Sequence, residues 1–497
     1  MHKLASGVVF MDEMTRKISQ EADIIEHMHH ILAAQKAAHS RDGVASRAVR
    51  EDRLDRCIAL LVDHAKQITD ALSEDFSCRA RETSLITEIA SSLGPLKYAK
   101  AHLAKWMRPE KRKTSPLLLG LFGARAEIHY LPKGVVGIIA PWNFPVNLIF
   151  APLAQVLAAG NRAMIKPSEL TPNTSELIKF LISKTFSPEE IAVIPGGPDV
   201  GQAFSRLAFD HLVFTGGTGI GRHIMRAAAD HLVPLTLELG GKSPVVVSRS
   251  ADLPTSADRI MAGKTLNAGQ ICLAPDYLLV PKEKLDSLMS HLVASVNRMY
   301  PSMHDNPDYT AIISQGHYDR IMALLSDARA KGAKIVEINP AGEVFSSQSD
   351  RKIPPILVLD VTDDMSIMQE EIFGPLLPIK TYSELRDAVS YIKAKPRPLG
   401  LYYFGTDPVE QDFVLSSTIS GGVTVNDVIF HIAMEDLPFG GIGPSGMGSY
   451  HGQDGFKEFS HARAIYHQIN KDIGPLKALR PPYGSAVKTF LAQHINK

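Results

Sequence analysis

Gly134-Val-Val-Gly-Ile-Ile-Ala-Pro141-Trp-Asn-Phe-Pro145-Val-Asn-Leu-Ile-Phe-Ala-Pro152-Leu-Ala-Gln-Val-Leu-Ala-Ala-Gly-Asn161 carries no charged side chain, and a stretch of that length can span a bilayer. Its reading decides the fold. Pro141, Pro145 and Pro152, with Trp142-Asn143 among them, divide it into a β-rich run over 134 to 140, a turn, and a helix-like part. A parallel strand buried on both faces also reads as a continuous apolar run. The stretch is therefore a strand, turn and helix of a buried core, not a membrane span.

Working outward, the same kind of run recurs at 163 to 166, 191 to 194, 211 to 215 and 244 to 248, with helical patterns between. Such alternation predicts a parallel sheet covered on both faces. A second series follows Cys272: Tyr277-Leu-Leu-Val, Pro355-Ile-Leu-Val-Leu, Leu377-Pro-Ile-Lys and Gly421-Gly-Val-Thr-Val-Asn. Residues 15 to 110 read as helical and charge-rich. Segment 114 to 133 reads as a protruding hairpin. Two α/β domains are the economical organisation, and 497 residues are too many for a single ordinary core.

Composition narrows the function. With 53 basic and 53 acidic residues the net charge is zero, so nothing favours a polyanion and nucleic acid is not expected as a partner. Three cysteines cannot form a disulfide framework, which points to a reducing, cytoplasmic setting. The N-terminal apolar run is too short for a signal peptide. The tail Thr489-Phe-Leu-Ala-Gln-His-Ile-Asn-Lys497 is too short and polar for an anchor. Among the histidines, His27, His29 and His30 do not share a helix face at the i, i+4 spacing of zinc ligands, so no metal site is expected.

Cys272, in Asn267-Ala-Gly-Gln-Ile-Cys272, carries the chemistry. Cys57 and Cys78 sit in helical-looking stretches and read as small hydrophobes. Cys272 follows small and amide residues, which points to a backbone that approaches a ligand closely. Upstream, Glu238 opens Glu238-Leu-Gly-Gly-Lys242. A thiolate can add to an aldehyde carbon, the adduct can lose hydride to a nicotinamide, and a carboxylate can activate water against the resulting thioester. Asn143, at a strand end, has a side-chain amide able to stabilise an oxyanion, though an Asn in a turn is more often only a turn residue.

Two further pieces point to a dinucleotide. The run His211-Leu-Val-Phe-Thr-Gly216-Gly217-Thr-Gly-Ile-Gly221-Arg follows a strand and opens a helix, the context in which backbone N–H groups meet a pyrophosphate. It departs from the G-x-G-x-x-G spacing, and alone it reads equally as a structural turn. Strand 163 to 166 ends in Lys166-Pro-Ser-Glu169, placing both charges where sheet ligands bind. A carboxylate there also repels a 2′-phosphate.

Taken together, Pro141-Trp-Asn-Phe-Pro, Lys166-Pro-Ser-Glu, Phe214-Thr-Gly, Glu238-Leu-Gly-Gly-Lys, Gly269-Gln-Ile-Cys, Glu371-Ile-Phe-Gly-Pro375 and Pro438-Phe-Gly-Gly resemble the aldehyde dehydrogenase superfamily in order and spacing, from about residue 15 to 470. Cys272-Leu-Ala-Pro-Asp-Tyr277 and Gly446-Met-Gly-Ser-Tyr-His-Gly452 resemble its class 3 branch. The resemblance implies an α/β fold: a parallel-sheet, Rossmann-like cofactor domain (1–113 and 133–240), an α/β catalytic domain (241–440), and a small β oligomerisation arm with the C-terminal segment (114–132 and 441–497). It also implies a homodimer or higher homo-oligomer. Cys272 becomes the nucleophile, Glu238 the general base, and Asn143 with the Cys272 N–H the oxyanion hole. Trp142, Lys166, Glu169, Gly216, Gly217, Gly221, Glu371 and Phe373 become cofactor contacts. The family usually has Ser at the position of Gly217. NAD is the implied cofactor and NADP stays open. The implied substrate is an aromatic aldehyde such as coniferyl aldehyde, with medium- or long-chain fatty aldehydes as the alternative. Tyr450-His451 reads as packing in a glycine-rich turn. A CoA-acylating relative would generally lack the Glu238 carboxylate. A non-redox cysteine hydrolase or acyltransferase would want a His base, and none lies between His231 and His291. A non-catalytic structural protein on the same fold would not need the full set of residues, which is present.

Overall fold

In the computed structural model, which describes residues 2–115, 117–345 and 350–495, the charge-free stretch divides as its prolines dictate. Strand Val135–Ile139 is wholly buried, and after the turn the helix Asn147–Ala158 buries all but its first residue. No helix of the described residues is long and apolar enough to cross a membrane. Residues 496 and 497 of the expected polar tail lie outside the described residues.

Strand Val135–Ile139 sits inside a six-stranded sheet. Its parallel neighbours are Arg162–Lys166 on one side, followed by Ile191–Val193, and His211–Gly216 on the other, followed by Leu235–Leu239. The short strand Gly446–Met447 closes the edge, antiparallel to Leu235–Leu239. Chain order reverses between Val135–Ile139 and His211–Gly216, so the crevice beyond their carboxyl ends is the switch point where such sheets take ligands.

A seven-stranded sheet runs in the order Lys334–Glu337, Ile356–Leu359, Leu376–Tyr382, Tyr277–Pro281, Pro244–Val247, Gly400–Phe404, Gly422–Val425, all parallel but the first pair. Both faces are covered: Val246, Leu401 and Tyr403 enter one apolar cluster, while Val245, Val247, Tyr402 and Phe404 enter another. That is the period-two consequence of a pleated strand with two buried faces. The run at 244 to 248 reads from sequence as part of the first series, but it pairs inside this second sheet. Four strands of these two sheets escape the sequence reading: Leu235–Leu239, Lys334–Glu337, Gly400–Phe404 and the short Gly446–Met447.

By internal packing, residues 1–106 and 132–460 form one unit and 107–131 with 461–497 a second. The second contains the expected hairpin, which begins earlier than residue 114: Glu110–Arg112 pairs antiparallel with Arg125–Pro132, and Ser460–His467 completes a three-stranded sheet. Residues 441 to 460 belong to the larger unit. Cys78 is not helical, because its helix ends at Phe76 and Ser77 turns left-handed at φ 63°. Its thiol faces the carbonyls of Asn306, Pro307 and Tyr309.

Candidate active site

The carboxyl ends of the six-stranded sheet gather several of the residues singled out in the sequence. Ile139 is in register with both Lys166 and Phe214, so the turn bearing Trp142 and Asn143, the Lys166 side chain and the Gly216-Gly217 turn share one edge. Lys166 is 3% exposed, and its Nζ donates to the Glu169 carboxylate at 2.9 Å and to the Pro167 carbonyl at 3.0 Å. Gly217 caps the helix Thr218–Ala229 in extended conformation, and nothing stands within 4 Å of a Cβ built on it or on Gly219. A serine would therefore fit at 217, and the glycine is not demanded by packing. Gly221 is different, since its Cβ would come within 2.8 Å of Leu239, so it sets the approach of helix to sheet. An open helix N-terminus with free amides, beside a cation at the switch point, fits the phosphates and ribose of a dinucleotide.

Cys272 is carried by a strained loop. Helix Leu253–Thr265 ends, and Asn267, Ala268 and Gly269 follow in the left-handed region at φ 51°, 52° and 75°. Only glycine can occupy 269, because a Cβ there would run into the Gly374 carbonyl. The Gln270 side chain pins the loop, donating to Asn267 O (2.9 Å) and Ala311 O (3.1 Å) and accepting from Ile313 N (3.0 Å). Asn143 is clamped to this loop: its Nδ2 donates to Gln270 O at 3.1 Å, and its own carbonyl accepts from Asn267 Nδ2 at 3.2 Å. That leaves the second hydrogen of the Asn143 amide for a ligand. The clamp has a buried ionic support. Arg79 donates to Asn143 O (3.1 Å) and pairs with Glu88 (2.9 Å), which accepts from Val146 N (3.0 Å) and Asn147 N (2.9 Å).

Glu238 lies on strand Leu235–Leu239, in register with Thr215 and Gly446. It is 3% exposed, and neither carboxylate oxygen has a hydrogen-bond partner among the described residues. Burial, reinforced by Glu458, holds its proton well above the usual carboxylate range. Cys272 is half-buried, and desolvation, then Glu371 and Glu238, push its thiol up to about 12. Glu371 rises to about 8, chiefly from burial and then from Asp276. Gly240 is small enough to let this carboxylate in, since a Cβ there would collide with it. Arg320 holds the carbonyls of Glu371 (3.2 Å) and Ile372 (2.5 Å), and Asp276 accepts from Ile372 N (3.0 Å). Phe373, at φ 49°, packs edge-on to Trp142 with ring centroids 5.3 Å apart.

Cys272 and Glu238 open into one cavity of about 780 Å³, whose wall is largely apolar and includes Phe144, Phe430, Phe439 and Tyr450. A π-helical turn, Leu85–Ala90, brings Ile86, Thr87 and Ala90 to it, in keeping with the frequent placement of such turns at functional sites. The sequence missed this lining. Tyr450 and His451, read as turn packing, both face the cavity, and the Tyr450 hydroxyl is pushed up by burial and then by Glu238 and Cys272. His451 is 4% exposed, its Nδ1 is unpartnered, and burial, then His431, lowers its pKa to about 4. Glu435 also lines the wall. Its signal was faint: one of two adjacent acids, Glu435 and Asp436, in a loop without periodicity.

Comparison with known proteins bears on this arrangement. The model of the aldehyde dehydrogenase family matches residues 15–465. A protein of Caulobacter vibrioides named "Probable coniferyl aldehyde dehydrogenase" is 61% identical over 470 residues, 95% of this chain and 97% of that protein. A coniferyl aldehyde dehydrogenase of a Pseudomonas species is 51% identical over 469 residues, covering 94% and 96% of the two chains. A solved structure, the substrate-bound state of Staphylococcus aureus AldH, superposes with a TM-score of 0.87 at 37% identity, covering 94% of this chain and 99% of that one.

Proposed function

This chain belongs to the aldehyde dehydrogenase family, and on that premise we propose that it oxidises aromatic and α,β-unsaturated aldehydes, coniferyl aldehyde among them, with Cys272 as nucleophile and Glu238 as base. The family is one of oxidoreductases that use NAD or NADP. The observation that carries the reading is the cavity. It brings a thiol and an unpartnered buried carboxylate together with Phe144, Phe430, Phe439 and Tyr450 in one largely apolar lining.

The thiol proton must leave before attack, because burial keeps the sulfur protonated at neutral pH. We assign that proton to Glu238, which lines the same cavity as the thiol. As the S–C bond forms, the carbonyl oxygen gains charge, and the free Asn143 N–H with the Cys272 backbone N–H meets it. When bound, NAD supplies the acceptor for the hydride that leaves the same carbon. A thioester then sits on Cys272. Once it has released the thiol proton to solvent, Glu238 removes a proton from water, the water oxygen adds to the thioester carbon, and the departing thiolate takes that proton from Glu238. Lys166, Glu169 and the helix opening at Gly217 hold the adenosine half of the cofactor. Glu371, with Phe373 and Trp142, holds the nicotinamide half.

In this reading the six-stranded sheet is the cofactor-binding portion and the seven-stranded sheet the catalytic one. The three-stranded sheet serves assembly into a homo-oligomer, and the setting is cytoplasmic. The deciding experiment is a panel of coniferyl aldehyde, cinnamaldehyde, benzaldehyde, hexanal and acetaldehyde, read by reduced nicotinamide absorbance with NAD and NADP. The aromatic aldehydes lead in kcat/KM, and Cys272→Ala retains cofactor binding without turnover. A clear lead for hexanal would assign the chain to fatty aldehydes instead. Turnover by Cys272→Ala would remove the thiol mechanism.

A further inference from the structure

The cavity contains more polar chemistry than the reaction uses. Thr87 Oγ1 donates to Thr83 O at 2.7 Å, Ser91 Oγ to Thr87 O at 2.5 Å, and Arg259 to Asn426 O at 2.5 Å while it pairs with Asp427 at 3.7 Å. These lining groups are committed to their own surroundings. Glu435 is not. Its Oε2 is buried without a hydrogen-bond partner, and burial alone raises its carboxyl to about 7. Room is made for it by Gly94, where a Cβ would come within 2.7 Å of Glu435 Oε1. His451 brings a second uncommitted atom, Nδ1, on a ring stacked 5.5 Å from Phe439. Both residues line the cavity, and the backbone of Gly452 comes up against the Glu435 carbonyl.

Glu435 also occupies a different part of the wall from the reacting groups. It stands against Gly94 of the helix Ser91–Trp106, whereas Glu238 lies on the strand Leu235–Leu239 and Cys272 follows the loop Leu266–Gly269. A polar group on a separate element of this largely apolar cavity can meet the ring of a bound aryl aldehyde while the aldehyde group meets the thiol. Buried polar groups without partners are rare in folded proteins and call for a ligand or water.

We propose that Glu435, in the cavity that His451 also lines, is the specificity-determining residue that hydrogen-bonds a phenolic hydroxyl on the substrate ring. This rests on the aryl-aldehyde reading above and adds the class: ring-hydroxylated aldehydes over their unsubstituted counterparts. The carboxyl and the neutral imidazole can each accept from the hydroxyl, and a site built for that bond rejects the analogue that lacks it.

The test compares 4-hydroxycinnamaldehyde with cinnamaldehyde. The ratio of their kcat/KM values falls about tenfold or more in Glu435→Leu and stays within about threefold of wild type in Glu435→Gln, whose amide still accepts. A merely structural role for Glu435 would lower both substrates alike and leave the ratio at its wild-type value, which overturns the assignment. His451 is a poorer target, because its φ of 113° strains any replacement. A second measurement, the ratio of Kd values for the two aldehydes in Cys272→Ala with and without Glu435→Leu, needs no turnover. An unchanged Kd ratio overturns the Glu435 assignment, whereas wild-type protein that oxidises neither aldehyde overturns the aldehyde reading and leaves the Kd ratio to decide this one.

Discussion

At the residue scale, Glu238 is the group whose burial has no structural excuse. A carboxyl with both oxygens unpartnered at 3% exposure is destabilising unless a reaction uses it. Glu238→Gln removes the base and keeps the shape. Steady-state turnover falls by about 10²–10⁴, and the burst of reduced cofactor on rapid mixing is lost because Glu238 also takes the thiol proton. A burst near one equivalent would confine Glu238 to the deacylating water. Glu371 makes a pH argument. Its carboxyl rises to about 8 in the folded chain, above its unfolded value, so the fold binds that proton the more tightly. Its contribution is fully present below about pH 4.5 and is lost as pH rises towards 8. Glu371→Gln carries no such dependence. Its free energy of unfolding should match wild type near pH 5 and exceed it by pH 9, by up to about 5 kcal/mol. An equal gap at both pH values would show that Glu371 is ionised throughout.

Among the elements, the loop Leu266–Gly269 departs furthest from local preference. Ala268 at φ 52° is held where an alanine costs roughly 1–2 kcal/mol, and the Gln270 bonds hold it there. Ala268→Gly relieves that strain but loosens the link to Cys272. The expected outcome is stability within about 1 kcal/mol of wild type and a fall in kcat of about tenfold or more. Unchanged kcat would mean that the loop's geometry is dispensable. Glycine at 269 was legible, since Gly269-Gln-Ile-Cys is a short motif. The strain at 267 and 268 was not, because a side chain's identity does not disclose a φ that tertiary contacts impose. The same divide separates strands. Val135–Ile139 declares itself by a continuous apolar run, whereas Leu235-Thr-Leu-Glu-Leu239 hides its strand behind two polar residues that are buried all the same.

For the whole molecule, the α/β alternation and the motif around Cys272 were readable because they rest on neighbours in sequence. Glu435 and Gly94 were not, since their approach is made by folding. Assembly is the remaining long-range property, and the three-stranded sheet supplies its test. Arg125–Pro132 is the central strand, so Ser460–His467 pairs on one side only and leaves an eight-residue edge, largely exposed. Such an edge is a template for another chain unless charge or covering blunts it, and a second copy of the same strand is the occupant that a symmetric oligomer offers. Successive amides of a strand point alternately to its two sides, so of Arg463 and Ala464 one donates towards Arg125–Pro132 and the other outward. Proline removes the donor. Sedimentation of the wild type should give at least twice the 54.3 kDa of one chain. One of Arg463→Pro and Ala464→Pro should lower that mass with the circular dichroism spectrum unchanged, while the other weakens the three-stranded sheet itself. If both variants keep the wild-type mass, this edge is not the seam between copies, and a monomeric wild type would withdraw the oligomer altogether.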